Sequence, residues 1–187
     1  MRIVSALMAV AVAALASPVL AQTGLGANAF DTKFVQAAMQ ADSTEIEQAR
    51  AELQASNDPS VQLYARTIIK DHTTATSQLA ALAQSLNVSY PDMHVQANTP
   101  DTMGSPPPGG AAANPSMSAT AYFQGQVKAH QEAILLFQNE ARNGGSAQLK
   151  RFAADELPTL NAHLAMAQQY LSSGTITPEA TPTPPAS

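Results

Sequence analysis

The chain has 187 residues, a formal net charge of −5 and no cysteine. That length favours one domain, and the acidic balance argues against nucleic acid as a partner. The missing cysteine excludes a lipoprotein anchor, disulfides and thiolate metal sites, so an exported form of this chain must draw its stability from its core.

The first segment is expected to be a secretory signal peptide, residues 1–21. Arg2 supplies a positive start, and Ile3 to Ala16 is an almost unbroken apolar run. Ser17-Pro18 breaks the run, and Val19-Leu20-Ala21 offers the small residues of a cleavage site, with cleavage after Ala21. The alternative is a membrane anchor, but the run falls short of the ~20 apolar residues that a spanning helix needs. No second apolar run follows, so no transmembrane segment is expected in the mature chain. The location implied is periplasmic or secreted, with outer-membrane association left open.

Residues 22–29 read as a flexible N-terminus. From Phe30 the chain is rich in Ala, Gln, Glu and Leu without Gly or Pro until Pro59, which predicts a helix over 30–56 capped by Asp31. Asn57-Asp58-Pro59 ends it and opens the second helix, 59–87, because Asp caps well and Pro suits the first helical position. The stretch 88–117 is a linker: six prolines and three glycines leave no helical or strand pattern in it. A third helix is expected over 118–143, closed by Gly144-Gly145, and a fourth over 146–173, capped by Ser146. The Pro- and Thr-rich tail 174–187 is expected to be disordered. The fold class is therefore all-α: a four-helix bundle over 30–173. Two tight turns make antiparallel hairpins, and the long Pro/Gly-rich crossover between helices two and three is the ferritin-like connection.

Apolar residues at spacings of three and four mark the core face of each helix. On helix two, Val61, Ala65, Ile68, Ala75, Leu79 and Leu82 form a seam with His72 inside it. His130 interrupts the stripe of helix three (Phe123, Val127, Ile134, Phe137), and His163 and Glu156 interrupt that of helix four. On helix one, Glu45 lies between the rows Phe34-Ala38-Ala41 and Val35-Met39-Ile46-Ala49, while Glu47 points away. Glu45, His72, His130 and His163 each sit near the middle of their helix, so side-by-side packing should bring them to one level. Buried polar groups without partners cost several kcal/mol, so the four should satisfy one another, a water or a metal.

The combination Ala-Asp-Ser-Thr-Glu-Ile-Glu (41–47), Ile-Ile-Lys-Asp-His-Thr (68–73), Val-Lys-Ala-His (127–130) and Leu-Lys-Arg-Phe-Ala-Ala-Asp-Glu-Leu-Pro-Thr-Leu-Asn-Ala-His-Leu (149–164) resembles the bacterial family called domain of unknown function 4142. The resemblance spans roughly residues 30–172. It implies a ferritin-like fold and an exported location, often with an outer-membrane label, and it implies no established activity.

Ferritin-like di-iron sites use Glu-x-x-His on two helices. Here Ile69 and Leu160 stand three residues before His72 and His163, so such a centre is not expected. Three imidazoles and one carboxylate suit a single transition metal, Zn, Cu, Fe or Mn, with Glu45, His72, His130 and His163 as ligands. Asp71, Glu132 and Glu156 are candidates to orient the histidines, although Asp71, next to His72 in sequence, points elsewhere on the helix. The competing reading is a metal-free buried polar layer that fixes helix register, in a non-enzymatic envelope or stress-related protein with an envelope protein partner. A shortage of carboxylates weighs against a metalloenzyme, and no nucleophile triad, phosphate loop or basic patch is present. His94 with Met93, Met103 and Met117 could suggest soft-metal capture, but loop methionines are usually incidental. Tyr64, Tyr122 and Tyr170 read as core-edge residues. Pro158 is expected to bend helix four.

Overall fold

A computed structural model describes residues 26–90 and 118–177. The expected signal peptide, most of the linker with its His94 and methionines, and residues 178–187 of the tail lie outside the described residues. Four α-helices account for the fold: α1 (Ala29–Ala55), α2 (Pro59–Ser85), α3 (Ala119–Asn143) and α4 (Ala147–Ser173). None of them is long and apolar enough to cross a membrane.

The helix ends follow from local chemistry. Asp58, Ser118 and Ser146 each accept backbone N–H groups of the following first turn. At α1 the cap is Asn28, not Asp31. Asn28 Oδ1 accepts from the backbones of Phe30 and Asp31, and Asp31 reaches back to the Asn28 N–H, completing a capping box whose cap lies three residues before the Asp31 that composition suggested. Helix α2 closes in a Schellman turn. Asn87 is left-handed (φ 54°), its N–H donates to the Gln84 carbonyl, and Val88 N–H donates to the Ala83 carbonyl. Val88, assigned by composition to the linker, thereby enters the core. Gly144 closes α3 in an extended conformation (φ −56°, ψ 151°), because the chain turns at once into the Ser146 cap. Small residues are required there: a Cβ on Gly144 would strike the Glu140 carboxylate, and one on Gly145 the Asn28 amide. Helix α4 runs on through Pro158, which faces outward.

The core falls into two apolar clusters at opposite ends of the molecule. One joins Phe34, Val35 and Ala38 of α1, Leu79 and Ala83 of α2, Phe137 of α3 and Leu149 and Phe152 of α4. The other joins Ala49 of α1, Val61, Tyr64 and Ile68 of α2, Tyr122 and Phe123 of α3 and Ala167 of α4. Each fully buried aliphatic side chain contributes about 1.5–3 kcal/mol. Edge-on ring pairs, Phe34 with Phe137 and Tyr64 with Phe123, both at 5.1 Å, fill the two ends. Tyr64 and Tyr122 are thus fully buried rather than at the core edge, whereas Tyr170 is half-buried and donates its hydroxyl to Asp58. Ile176, beyond the last helix, is also buried in the second cluster, its N–H donating to Ser60 Oγ.

This division fixes the topology. The first cluster gathers the starts of α1 and α4 and the ends of α2 and α3; the second gathers their opposite ends. Hence α1–α2 and α3–α4 are antiparallel hairpins. Helix α1 also packs on α3, and α2 on α4. Helices α2 and α3 are therefore parallel and diagonal, so the connection between them must cross from one end to the other. The architecture is the ferritin-like four-helix bundle with a long crossover.

Candidate metal centre

Between the two apolar clusters lies a polar layer built from all four helices. Asp42 and Glu45 come from α1, His72 and Thr76 from α2, Gln126 and His130 from α3, and His163 from α4; all are buried. The four residues singled out in the sequence, Glu45, His72, His130 and His163, meet here. The histidine ring centroids are 5.2–5.8 Å apart. One nitrogen from each ring lies within 4.8 Å of the others, the spacing of a group that could hold a metal ion.

Each imidazole is fixed by a partner on its other nitrogen. His72 Nδ1 is 2.6 Å from Asp42 Oδ1, and Asp42 Oδ2 accepts from the Thr76 hydroxyl at 2.9 Å. His130 Nδ1–H donates to the Gln126 carbonyl at 3.0 Å. His163 Nε2–H donates to Asp71 Oδ2 at 3.0 Å. These bonds set the tautomers and turn the remaining nitrogens inward. There, His72 Nε2, His130 Nε2, His163 Nδ1 and Glu45 Oε2 are buried without a hydrogen-bond partner. Glu45 Oε2 is 3.2 Å from His72 Nε2 and 3.5 Å from His130 Nε2, close but not aligned for bonding.

The electrostatics separate the three rings. Burial works against a charge on His72, but Asp42 and Glu45, one at each nitrogen, outweigh it and raise its pKa to about 10. Burial pushes His130 down to about 4; attraction by Glu45 opposes this, and the neighbouring histidines reinforce it. Burial alone would raise Glu45, yet its contact with His72 and the surrounding imidazoles hold it below the usual carboxylate range. The His163 bond holds Asp71 low against the opposing effect of burial. Tyr64 extends the layer: its hydroxyl donates to Gln126 Oε1 at 3.1 Å, and its ring stands 6.4 Å from His130 and 6.5 Å from His163.

Of the orienting residues expected, Asp71 does the task for His163 rather than for its sequence neighbour, because a step of one residue turns it toward α4. Glu132 is exposed and pairs with Lys128. Glu156 is half-buried and makes no hydrogen bond among the described residues; burial and nearby carboxylates raise its pKa. Asp42 was missed, although it carries a signal: it fills the empty step between Met39 and Ile46 in the core row of α1.

No curated protein matches the chain. Among solved structures, CopM in its Cu(I)-bound form is similar, with a TM-score of 0.60, 17% identity, and coverage of 77% of this chain and 96% of that one. CopM in the Ag-bound form (by soaking) gives a TM-score of 0.55 at 17% identity, covering 76% and 96%. A DUF305 fragment from Deinococcus radiodurans gives 0.59 at 15% identity, covering 79% and 98%. At these identities the likeness is one of fold. The model of the family described as Domain of unknown function (DUF4142) matches residues 16–170, most of the chain, and the protein belongs to that family.

Proposed function

We propose that this protein is an exported metal-binding bundle that holds one transition-metal ion in its core, through His72 Nε2, His130 Nε2, His163 Nδ1 and Glu45 Oε2. The observation that carries this reading is the set of four inward atoms, each buried without a hydrogen-bond partner, on rings whose outer nitrogens are all engaged. Leaving a buried polar atom unpaired costs about 1–3 kcal/mol. The 3.2 Å contact of Glu45 with His72 offsets part of this, but His163 Nδ1 has no partner and His130 Nε2 has only the Glu45 oxygen at 3.5 Å, so the layer favours a ligand that takes all four atoms. Three neutral imidazoles and one carboxylate suit Zn, Cu, Fe or Mn. Copper is the first to test, since CopM, a protein of similar fold, is known in Cu(I)- and Cu(II)-bound forms. The outer partners Asp42, Asp71 and the Gln126 carbonyl would hold the rings in their ligating orientation. Bound metal would supply a positive centre that neutralises Glu45 and displaces the proton from His72, so binding should release protons at neutral pH.

A second reading rests on the His72 contacts. An imidazolium between Asp42 and Glu45 is a self-sufficient ion triad, and it would serve a metal-free polar layer in an envelope protein that works through a partner. It leaves His130 Nε2 and His163 Nδ1 unpaired, which is why the metal reading is preferred.

Elemental analysis of residues 22–187, produced without a histidine tag, tests the two against each other. Near-stoichiometric metal that disappears in a His72→Ala/His163→Ala double variant is the expected result. No metal in either protein, even after loading with Zn, Cu, Fe and Mn, would leave the polar layer.

A further inference from the structure

The metal-binding reading raises the question of how an ion reaches a layer closed by two apolar clusters. Helices α1 and α3 face each other with alanines, Ala41 against Ala129 and Ala133, where a bundle ordinarily carries large aliphatic residues. The result is a groove of about 430 Å³ on that face, mostly apolar, with Thr44 and the exposed Glu132 at its rim. Glu45 also lines it, the same side chain whose unpaired Oε2 faces His72 and His130. A small-residue seam would be unremarkable alone; here it leads to a buried carboxylate with an unpaired oxygen. The groove can also take the cargo: six waters around an ion occupy roughly 200 Å³ at about 30 Å³ each. On the opposite side of the layer, between α2 and α4, Asp71 is already bonded to His163, and an ion arriving there would have to break that bond to reach the ring.

We propose, resting on the metal-binding reading above, that the alanine-lined α1–α3 groove is the portal through which a hydrated metal ion enters the core. Glu45 is the first ligand met, replacing water on the ion at the floor of the groove, and the three imidazoles complete the capture. The walls are mostly apolar, with the neutral Gln40, Thr44 and Gln48 among them, and the carboxylates that line the groove are Glu45 at its floor and Glu132 at its rim, the latter paired with Lys128.

A portal and a ligand shell are separated by kinetics. Narrowing a portal slows arrival and departure equally and leaves the equilibrium unchanged, whereas damage to the shell changes affinity. The chain has no tryptophan, so Cu(II) uptake by metal-free full-length mature protein can be followed through quenching of tyrosine emission, Tyr64 being beside the site. Ala41→Leu fills the groove from within, and Gln40→Phe covers it from the exposed rim without touching the core or adding a tryptophan. Ala165→Leu adds bulk to the exposed face of α4 as the control. Uptake and release should both slow about tenfold or more in the two groove variants, with dissociation constants little changed and Ala165→Leu behaving as wild type. Uptake at the wild-type rate in Gln40→Phe and in folded Ala41→Leu would overturn the portal, and so would an equal slowing by Ala165→Leu. If wild-type protein takes up no Cu(II), the metal-binding reading for that ion fails and the portal falls with it; a bound ion with unslowed kinetics would sink the portal alone.

Discussion

His72 is held at both of its ring nitrogens. Asp42 stands at one nitrogen and Glu45 at the other, both carboxylates being buried. Removing one member of a buried charge pair leaves the rest uncompensated and typically costs about 3–5 kcal/mol. Asp42→Ala should therefore destabilise the metal-free protein by about 3 kcal/mol in denaturant titrations near pH 6. The pH matters because His72 has its folded pKa raised from 6.5 to about 10. Its stabilisation is complete below 6.5 and is lost as pH rises through about 10, so the variant and wild type should converge in alkaline solution. A difference that does not shrink with pH would mean that Asp42 acts through Thr76 and packing instead. Asp42 was also the residue that sequence reading passed over. A carboxylate in a core row looks like a break in the row until the opposing histidine is in place.

At the level of the helix ends, a second pair of buried carboxyl groups ties α1 to the α3–α4 turn. Asp31, the third residue of the α1 capping box, also accepts from the backbone N–H groups of Gly145 (2.8 Å) and Ser146 (3.2 Å). Glu140 is buried beside it with both oxygens unpaired by hydrogen bonds. Burial first, and then Asp31, raise the Glu140 pKa from 4.5 to about 8. A carboxyl group raised in the folded state contributes its stability fully below the unfolded value and loses it as pH climbs toward the folded one. Stability should thus decline between about pH 4.5 and 8, through this group, and Glu140→Gln should abolish that decline. The variant is expected to unfold at a higher temperature than wild type at pH 8, by on the order of 2 kcal/mol of stability, with little difference at pH 4.5. Equal melting temperatures at pH 8 would show that Glu140 ionises there without cost. Sequence inspection gave Asp31 the role of cap; its position at N3 and its reach to another hairpin depend on how the two hairpins dock.

Across the whole bundle, the long connection between α2 and α3 is demanded by topology, since those helices are parallel and diagonal. A helix of 27 residues spans about 40 Å, and an extended chain covers about 3.3 Å per residue. The segment from 86 to 118 thus has reach to spare. Deleting Gly104–Ala113 is expected to leave helical circular dichroism and the unfolding midpoint unchanged. A lower midpoint would reveal that the segment packs on the bundle as well as connecting it.

The sequence by itself determined the four helices, their order and the level of their polar residues. Helix periodicity is local, and caps such as Asp58 and Ser146 act within one turn of their own chain. The loop lengths determined the connection type, because two short turns and one long linker admit few arrangements. Only the tertiary structure decided which atom of each histidine faces inward, because a tautomer is set by a partner on another helix (Asp42 for His72, Asp71 for His163) or by the turn below (Gln126 for His130). It also decided that the alanines of α1 and α3 face one another across a groove, since the spacing of small residues along one helix carries no information about the size of those opposite.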